Sequence, residues 1–261
     1  MPEEPTTSRS KCPVTVFAPA DDFAPDAAAL AAHLQALFTQ NAEQAAAEPL
    51  VLRCDADGLT LAGDGMELRP DFGQMIPRLK PGRLQRELLV RAARIKGAAG
   101  TPTAFDATAG LGQDSLLLAA AGFDVTLCES DPVIAALLQD ALRRAQDEPA
   151  LRDAVARMHF HEADSIALLG ALEQAPDVVY LDPMFPERRK SAAVKKKFQL
   201  LHKLERPCAD EQELLQAAID AHPRKVVVKR PPKGPYLAGV KPAYSLKAKA
   251  VRYDCLVFAR D

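Results

Sequence analysis

No stretch of the 261-residue sequence is apolar for long enough to cross a bilayer, so no transmembrane helix is expected and no membrane partner. Cysteine is sparse and unpatterned. Its five copies, Cys12, Cys54, Cys128, Cys208 and Cys255, are odd in number and never spaced C-x-x-C. That argues against a disulfide framework or a zinc site and for reduced thiols in the cytoplasm. The five histidines are equally dispersed. His159 and His161 share one face of an expected strand, and their role there reads as structural rather than metal-binding. The start, Met1-Pro2-Glu3-Glu4-Pro5, has no apolar stretch, so no secretory signal is expected. Acidic residues are missing altogether from residues 224–252, which hold nine bases.

What is present is an ordinary globular composition, 48% hydrophobic and 26% charged. The length suits one large domain or one and a half ordinary ones. The net charge of −2 conceals a segregation. Residues 1–66 carry ten acids against three bases, residues 78–96 seven bases against Glu87, and residues 186–206 eight bases against Glu187 and Glu205. Three basic runs in one chain point to a polyanionic partner.

The pattern changes near residue 100. Val14 to Phe17 reads as a strand, and Asp26 as the cap of a helix through Phe38 with Leu30, Leu34, Leu37 and Phe38 on its apolar stripe. Asn41 to Glu48 reads as a loop or frayed helix. Leu50 to Leu61 reads as a hairpin, with a second turn at Gly63-Asp64-Gly65. Residues 1–70 are therefore expected to form a small α+β subdomain. Residues 71–100 are expected to be a basic connector with a helix from Arg83 to Lys96. From residue 101 to 261 strands and helices alternate, which implies α/β architecture with a parallel sheet and right-handed crossovers. The expected strands are Thr103–Ala107, Asp124–Cys128, Arg157–His161, Asp177–Leu181 and Val226–Lys229, with a closing antiparallel hairpin over 243–259.

Two strand ends carry chemistry. Asp182-Pro183-Met184-Phe185 follows the apolar run Val178 to Leu181. A carboxylate, or the carbonyl beside it, can accept a hydrogen bond from a planar amine. Proline has no N–H to satisfy, and the aromatic can stack on a flat base. A plain Asp-Pro turn is the alternative. Upstream, Asp106-Ala107-Thr108-Ala109-Gly110-Leu111-Gly112-Gln113-Asp114 follows the first strand and opens a helix. Gly110 and Gly112 permit close backbone approach. Glu129 ends the second strand, where a carboxylate can take both hydroxyls of a ribose. Asp164-Ser165 follows the third and can reach an adenine edge. A nicotinamide or flavin dinucleotide would want a third glycine where Ser115 stands, and Asp114 would oppose its phosphates. S-adenosylmethionine has no phosphate, and its cationic part suits Asp106, Asp114 or Asp182.

With those stretches in view, the chain resembles the bacterial ribosomal RNA small-subunit methyltransferase J family, guanine-N2 methyltransferases of 16S ribosomal RNA. The resemblance is carried by Asp106 to Gly112, Pro132 to Leu138, Val178 to Phe185, Lys190 to Lys196 and Lys225 to Pro231, and covers most of residues 70–261. It implies a Rossmann-like class I S-adenosylmethionine-dependent methyltransferase fold. It places the cofactor against Gln113-Asp114, Glu129-Ser130, Asp164-Ser165 and Asp182. The family often has arginine where Gln113 stands and a basic residue where Ser130 stands. Asp182, Pro183 and Phe185 are the expected catalytic residues. Arg188, Arg189, Lys190, Lys195, Lys196, Lys197, Lys229 and Arg230 are expected to hold RNA phosphates. The partner would be 16S ribosomal RNA or the small ribosomal subunit, without a metal. Adenine N6 in DNA, a protein amide, or a non-catalytic RNA-binding assembly role remain alternative readings.

Overall fold

A computed structural model describes residues 13–95, 97, 100–183, 200, 201, 204 and 211–259. The chain divides into two compact units, Met1–Arg69 with Ala193–Leu204, and Pro70–Ala192 with Glu205–Asp261. The first unit is built on a five-stranded sheet in the order β2-β1-β3-β4-β5, comprising β1 (Thr15–Phe17), β2 (Leu37–Thr39), β3 (Val51–Asp55), β4 (Gly58–Gly63) and β5 (Met66–Leu68). The expected hairpin is β3–β4, antiparallel with Leu52 opposite Leu61, both fully buried. The expected helix is present but stops short of Phe38, and Asp26 lies in its first turn rather than at its cap. Helix α1 runs Ala24–Leu34 and stops at Gln35, which takes a left-handed φ of 54°. Leu37 and Phe38 instead pair in parallel with Thr15 and Val16 as an edge strand. Strand pairing overrides the helical period there. Residues 42–46 form the short α2, because the Asn41 side chain accepts from the Glu43 and Gln44 N–H groups.

The basic stretch 71–100 is not a separate connector. It holds three short helices, α3 (Ile76–Leu79), α4 (Pro81–Leu84) and α5 (Leu88–Ala93), and the single helix expected from Arg83 to Lys96 is interrupted between α4 and α5. Pro81 starts α4, and Glu87, with ψ of 128°, is too extended to continue a helix. Leu84, Leu89, Val90, Ala92 and Ala93 are buried in the core of the second unit. Lys225 donates to the Ala92 and Arg94 carbonyls, satisfying the end of α5.

The second unit's sheet has seven strands in the order β11-β12-β10-β9-β6-β7-β8. They are β6 (Thr103–Asp106), β7 (Asp124–Glu129), β8 (Met158–Glu162), β9 (Val178–Leu181), β10 (Lys225–Arg230), β11 (Tyr244–Lys247) and β12 (Arg252–Val257). Strands β6 to β10 run parallel, and β12 is antiparallel to both of its neighbours. Helices α6 (Gln113–Ala120), α7 (Pro132–Gln146), α8 (Arg152–Val155), α9 (Ser165–Gly170) and α10 (Glu211–Asp220) complete the α/β alternation. The sheet buries both faces, as parallel sheets do. Ala104, Val178, Tyr180 and Val227 pack with the α5–α6 side. Phe105, Val179, Leu181, Val226 and Val228 pack with Leu169 of α9 and Leu214 and Leu215 of α10. Pro132 opens α7, and the Asp131 side chain accepts from the Val133 and Ile134 N–H groups.

Candidate active site

The chain winds outward from β6 through β7 to β8, then returns to β9 on the other side of β6. Such a reversal opens a crevice at the carboxyl ends of the strands. Asp106 closes β6 there, and its neighbours in register are Leu127 of β7 and Tyr180 of β9. The loop that follows is stitched to both flanking strands. Ala107 N–H donates to the Tyr180 carbonyl at 3.1 Å and Ala109 N–H to the Cys128 carbonyl at 3.0 Å. Gly110 and Gly112 both have positive φ, 52° and 72°. They differ in surroundings. A Cβ on Gly112 would lie 2.6 Å from Leu138 Cδ1 and 3.1 Å from Phe72 Cζ, whereas one on Gly110 would meet nothing within 4 Å. The space over Gly110 is therefore open for a ligand.

Glu129 ends β7 beside this opening. Its Oε2 accepts from Gly110 N–H at 2.9 Å and its Oε1 from Asp131 N–H at 2.8 Å. Burial pushes its pKa up, and the two N–H donors oppose that rise. Asp164 caps α9, accepting from Ile166 and Ala167 N–H. Gln113 and Ser130 are exposed and Ser165 is half-buried at the starts of their elements. The donor set fits S-adenosylmethionine. A carboxylate anchored at the second strand end suits a ribose, and Asp114 in the first turn of α6 would oppose a phosphate. Replacing Glu129 with alanine should weaken S-adenosylmethionine binding about 10- to 100-fold, the cost of hydrogen bonds to a charged group. Calorimetry on the folded variant checks this, and a change under about threefold would contradict the ribose role.

The three acids read as partners for a cationic cofactor are in different states. Asp106 is only 1% exposed. Ser115 Oγ donates to it at 2.5 Å and Thr108 N–H at 3.1 Å. Burial outweighs these donors and pushes its pKa up to about 7. Asp114 accepts from the Tyr180 hydroxyl at 2.6 Å and from Lys229 Nζ at 2.7 Å. The same Lys229 Nζ reaches Asp182 Oδ2 at 2.8 Å. With both carboxylates ionised, this trio has two negative charges against one ammonium. Burial alone would lower the Lys229 pKa, but Asp114 and Asp182 outweigh it and hold the ammonium above its ordinary range. Burial raises the Asp182 pKa, and Lys229 opposes that rise. The Asp182 backbone is also fixed, its N–H donating to Thr108 Oγ1 at 2.7 Å. Pro183 is buried behind it.

Two expected phosphate ligands are corrected. Lys229 is held by Asp114 and Asp182 in the crevice. Arg230 is 2% exposed and donates to the Pro235 carbonyl, with Glu211 beside it. A guanidinium so enclosed has no access to an RNA backbone. Phe185, Arg188, Arg189, Lys190, Lys195, Lys196 and Lys197 lie outside the described residues. His159 pairs with Asp124 at 2.7 Å. Among the described residues no group of three His, Cys, Asp or Glu side chains could hold a metal.

The crevice also uses three side chains whose hydrogen-bonding roles no local pattern assigns: Thr108, Ser115 and Tyr180. A tyrosine inside an otherwise aliphatic buried strand was a signal, since a buried hydroxyl needs a partner. Lys229 carried no local signal as a crevice residue. Its partner Asp182 stands one residue beyond the Leu181–Val228 pair, which only the β9–β10 register reveals.

Comparison with known proteins agrees with this geometry. Residues 37–258 match the model of a SAM-dependent methyltransferase family. The chain is 42% identical over 245 residues to ribosomal RNA small subunit methyltransferase J of Thioalkalivibrio sulfidiphilus, covering 91% of this chain and 94% of that one. It is 41% identical to the protein of the same name from Neisseria meningitidis, over 78% of this chain and 82% of that one. A crystal structure of a SAM-dependent methyltransferase from Neisseria gonorrhoeae superposes with a TM-score of 0.73 at 31% identity, covering 95% of this chain and 97% of that one. The reversed parallel sheet, the phosphate-averse cofactor loop and these relatives agree: the chain belongs to the ribosomal RNA small subunit methyltransferase J family of S-adenosylmethionine-dependent methyltransferases.

Proposed function

We propose that the enzyme methylates the exocyclic N2 amine of a guanine in small-subunit (16S) ribosomal RNA. The relatives named above are ribosomal RNA small subunit methyltransferases, which supports an RNA substrate. The observation that carries the reading is the state of Asp182. One oxygen is tied to Lys229, yet 38% of the side chain is exposed. It can therefore accept a hydrogen from a planar amine. The guanine amine is a poor nucleophile, because its lone pair is delocalised into the ring. Hydrogen bonds to the Asp182 carboxylate and the Pro183 carbonyl would orient it and favour a more pyramidal nitrogen. Phe185 would stack on the base, a contact worth about 1–3 kcal/mol. Bound S-adenosylmethionine supplies an activated methyl group, so alignment is the protein's main task. Alignment of this kind contributes about 7–11 kcal/mol. No strong base is needed beforehand, because the nitrogen becomes acidic once methylated. Asp182 Oδ1 is placed in this reading to receive that proton. A paired guanine would have to be extruded from its duplex, whereas an unpaired one is reached directly.

The test is methyl transfer from labelled S-adenosylmethionine to small subunits from a deletion strain, with DNA and protein as controls. N2-methylguanine in 16S ribosomal RNA is the expected product. Label in N6-methyladenine or in a protein amide would overturn the reading.

The backbone of the RNA needs cations other than Lys229 and Arg230. Of the nine bases in residues 224–252, Arg224 pairs with Asp177, and Lys225, Lys229, Arg230 and Arg252 are engaged internally. Lys233, Lys241, Lys247 and Lys249 are exposed. Lys247 pairs in register with Arg252, and Arg252 with Arg230, so β11 delivers Lys247 and the following turn to the crevice end of the sheet. Arg230 and Arg252 donate to carbonyls of Pro232, Gly234 and Pro235, anchoring the loop that carries Lys233. In our reading this rim, together with the 188–197 run, takes the phosphates. Removing Lys247 and Lys249 together should weaken RNA binding. It should also flatten the dependence of log affinity on log salt, by about 0.7 per lost single-strand phosphate contact. Binding measured between low and high salt checks this. An unchanged slope would remove these lysines from the interface.

A further inference from the structure

We propose that Lys229 is the positioning residue of the methyl transfer: its ammonium holds Asp182 Oδ2 and Asp114 Oδ2 at once, and so reserves Asp182 Oδ1 for the target amine. Guanine as the amine's source rests on the function proposed above, whereas the Lys229–Asp182 coupling does not.

β9 and β10 are parallel neighbours, and Asp182 and Lys229 each stand one residue past the paired Leu181 and Val228. Leu181, Val228 and Arg230 are buried, so the backbones bearing the pair have little freedom. Nζ lies 2.7 Å from Asp114 Oδ2 and 2.8 Å from Asp182 Oδ2. Two carboxylates that touch one nitrogen are close enough to repel, and the ammonium is what holds them together. Tyr180 Oη donates to the same Asp114 oxygen, fixing the far side of the bridge. Asp182 Oδ1 has no hydrogen-bond partner among the described residues. Lysine suits this place because a compact ammonium can meet two acceptors in different directions.

Among the described residues, other charged and titratable groups act on the trio from the neighbouring elements. They are Asp106 of β6, Tyr180 of β9, Arg230 of β10, Tyr253 of β12 and Arg78 of α3. Lys229, at 2.8 Å, acts on the Asp182 carboxylate more strongly than Arg230 does, so it is the cation whose loss Asp182 would register most.

The test uses Lys229→Met, Lys229→Arg and Asp114→Asn in the full-length protein. In cofactor-free samples, carboxyl carbon NMR follows the Asp182 titration, assigned with Asp182→Asn. In Lys229→Met the midpoint should rise by about half a pH unit, the shift that losing an opposite charge worth about 1 kcal/mol or less produces. In Asp114→Asn it should fall, because a like charge is gone and Lys229 turns wholly to Asp182. With cofactor and RNA, Lys229→Met should lose at least tenfold in kcat at neutral pH, and the acid limb of its kcat profile should move upward. KM for S-adenosylmethionine should change by less than about threefold. Lys229→Arg should recover most of the kcat, because it restores the charge. An Asp182 titration unmoved in folded Lys229→Met would overturn the proposal. So would equal loss of kcat in the Met and Arg variants with an unmoved pH profile. If Lys229→Met does not fold, Asp114→Asn decides by the same titration, and an unmoved midpoint there refutes the coupling. Wild-type enzyme inert toward RNA would instead sink the guanine reading and leave the titration result standing.

Discussion

Asp182→Ala should lower kcat about 10²–10³-fold, the loss associated with removing one preorganised polar group at a reacting centre. The variant loses the acceptor that orients the amine, and it leaves Lys229 with Asp114 as its remaining carboxylate. The fold should barely register the change. The Asp182 side chain is 38% exposed, so its ion pair is screened and worth no more than about 1 kcal/mol. Asp182→Asn keeps the shape and one acceptor oxygen, and its loss should be smaller. Single-turnover methyl transfer, with melting as the control for folding, separates these outcomes. A folded alanine variant with wild-type turnover would remove Asp182 from the chemistry.

Gly112→Ala should destabilise the protein by about 2–5 kcal/mol, while Gly110→Ala should cost only about 1–2 kcal/mol. Both residues have positive φ, where an L side chain costs about 1–2 kcal/mol. Only Gly112 adds a clash, because its Cβ would stand 2.6 Å from Leu138 Cδ1. Forcing a methyl into packed surroundings costs a further 1–3 kcal/mol or so. Gly110→Ala should act on function instead, since its Cβ projects into open space next to the N–H that holds Glu129. Urea unfolding checks the first effect and S-adenosylmethionine calorimetry the second. Equal unfolding losses for the two variants would contradict this division.

Much of the second unit could be read before folding was considered. Its strands and helices fall within a few residues of their expected places, because apolar runs alternate with helical periods and the breaks are marked by Gly122, Asp131 and Pro132. The acids at strand ends, Asp106, Glu129, Asp164 and Asp182, were visible for the same reason. Less was legible where a segment could satisfy two patterns. Leu37 and Phe38 fit a helical stripe, yet pair with β1. Residues 83–96 fit one basic helix, yet Glu87 and Arg94 take extended ψ values of 128° and 125° and break it.

Local pattern was enough for the order of elements, the cofactor loop and the family, since each depends on residues a few places apart. Which charges meet required the folded chain. Lys229 lies 47 residues from Asp182 and 115 from Asp114, and no short-range pattern joins them. Sheet order makes β9 and β10 neighbours and turns an apparent phosphate ligand inward. Electrostatic partners depend on separation in space, which the sheet sets.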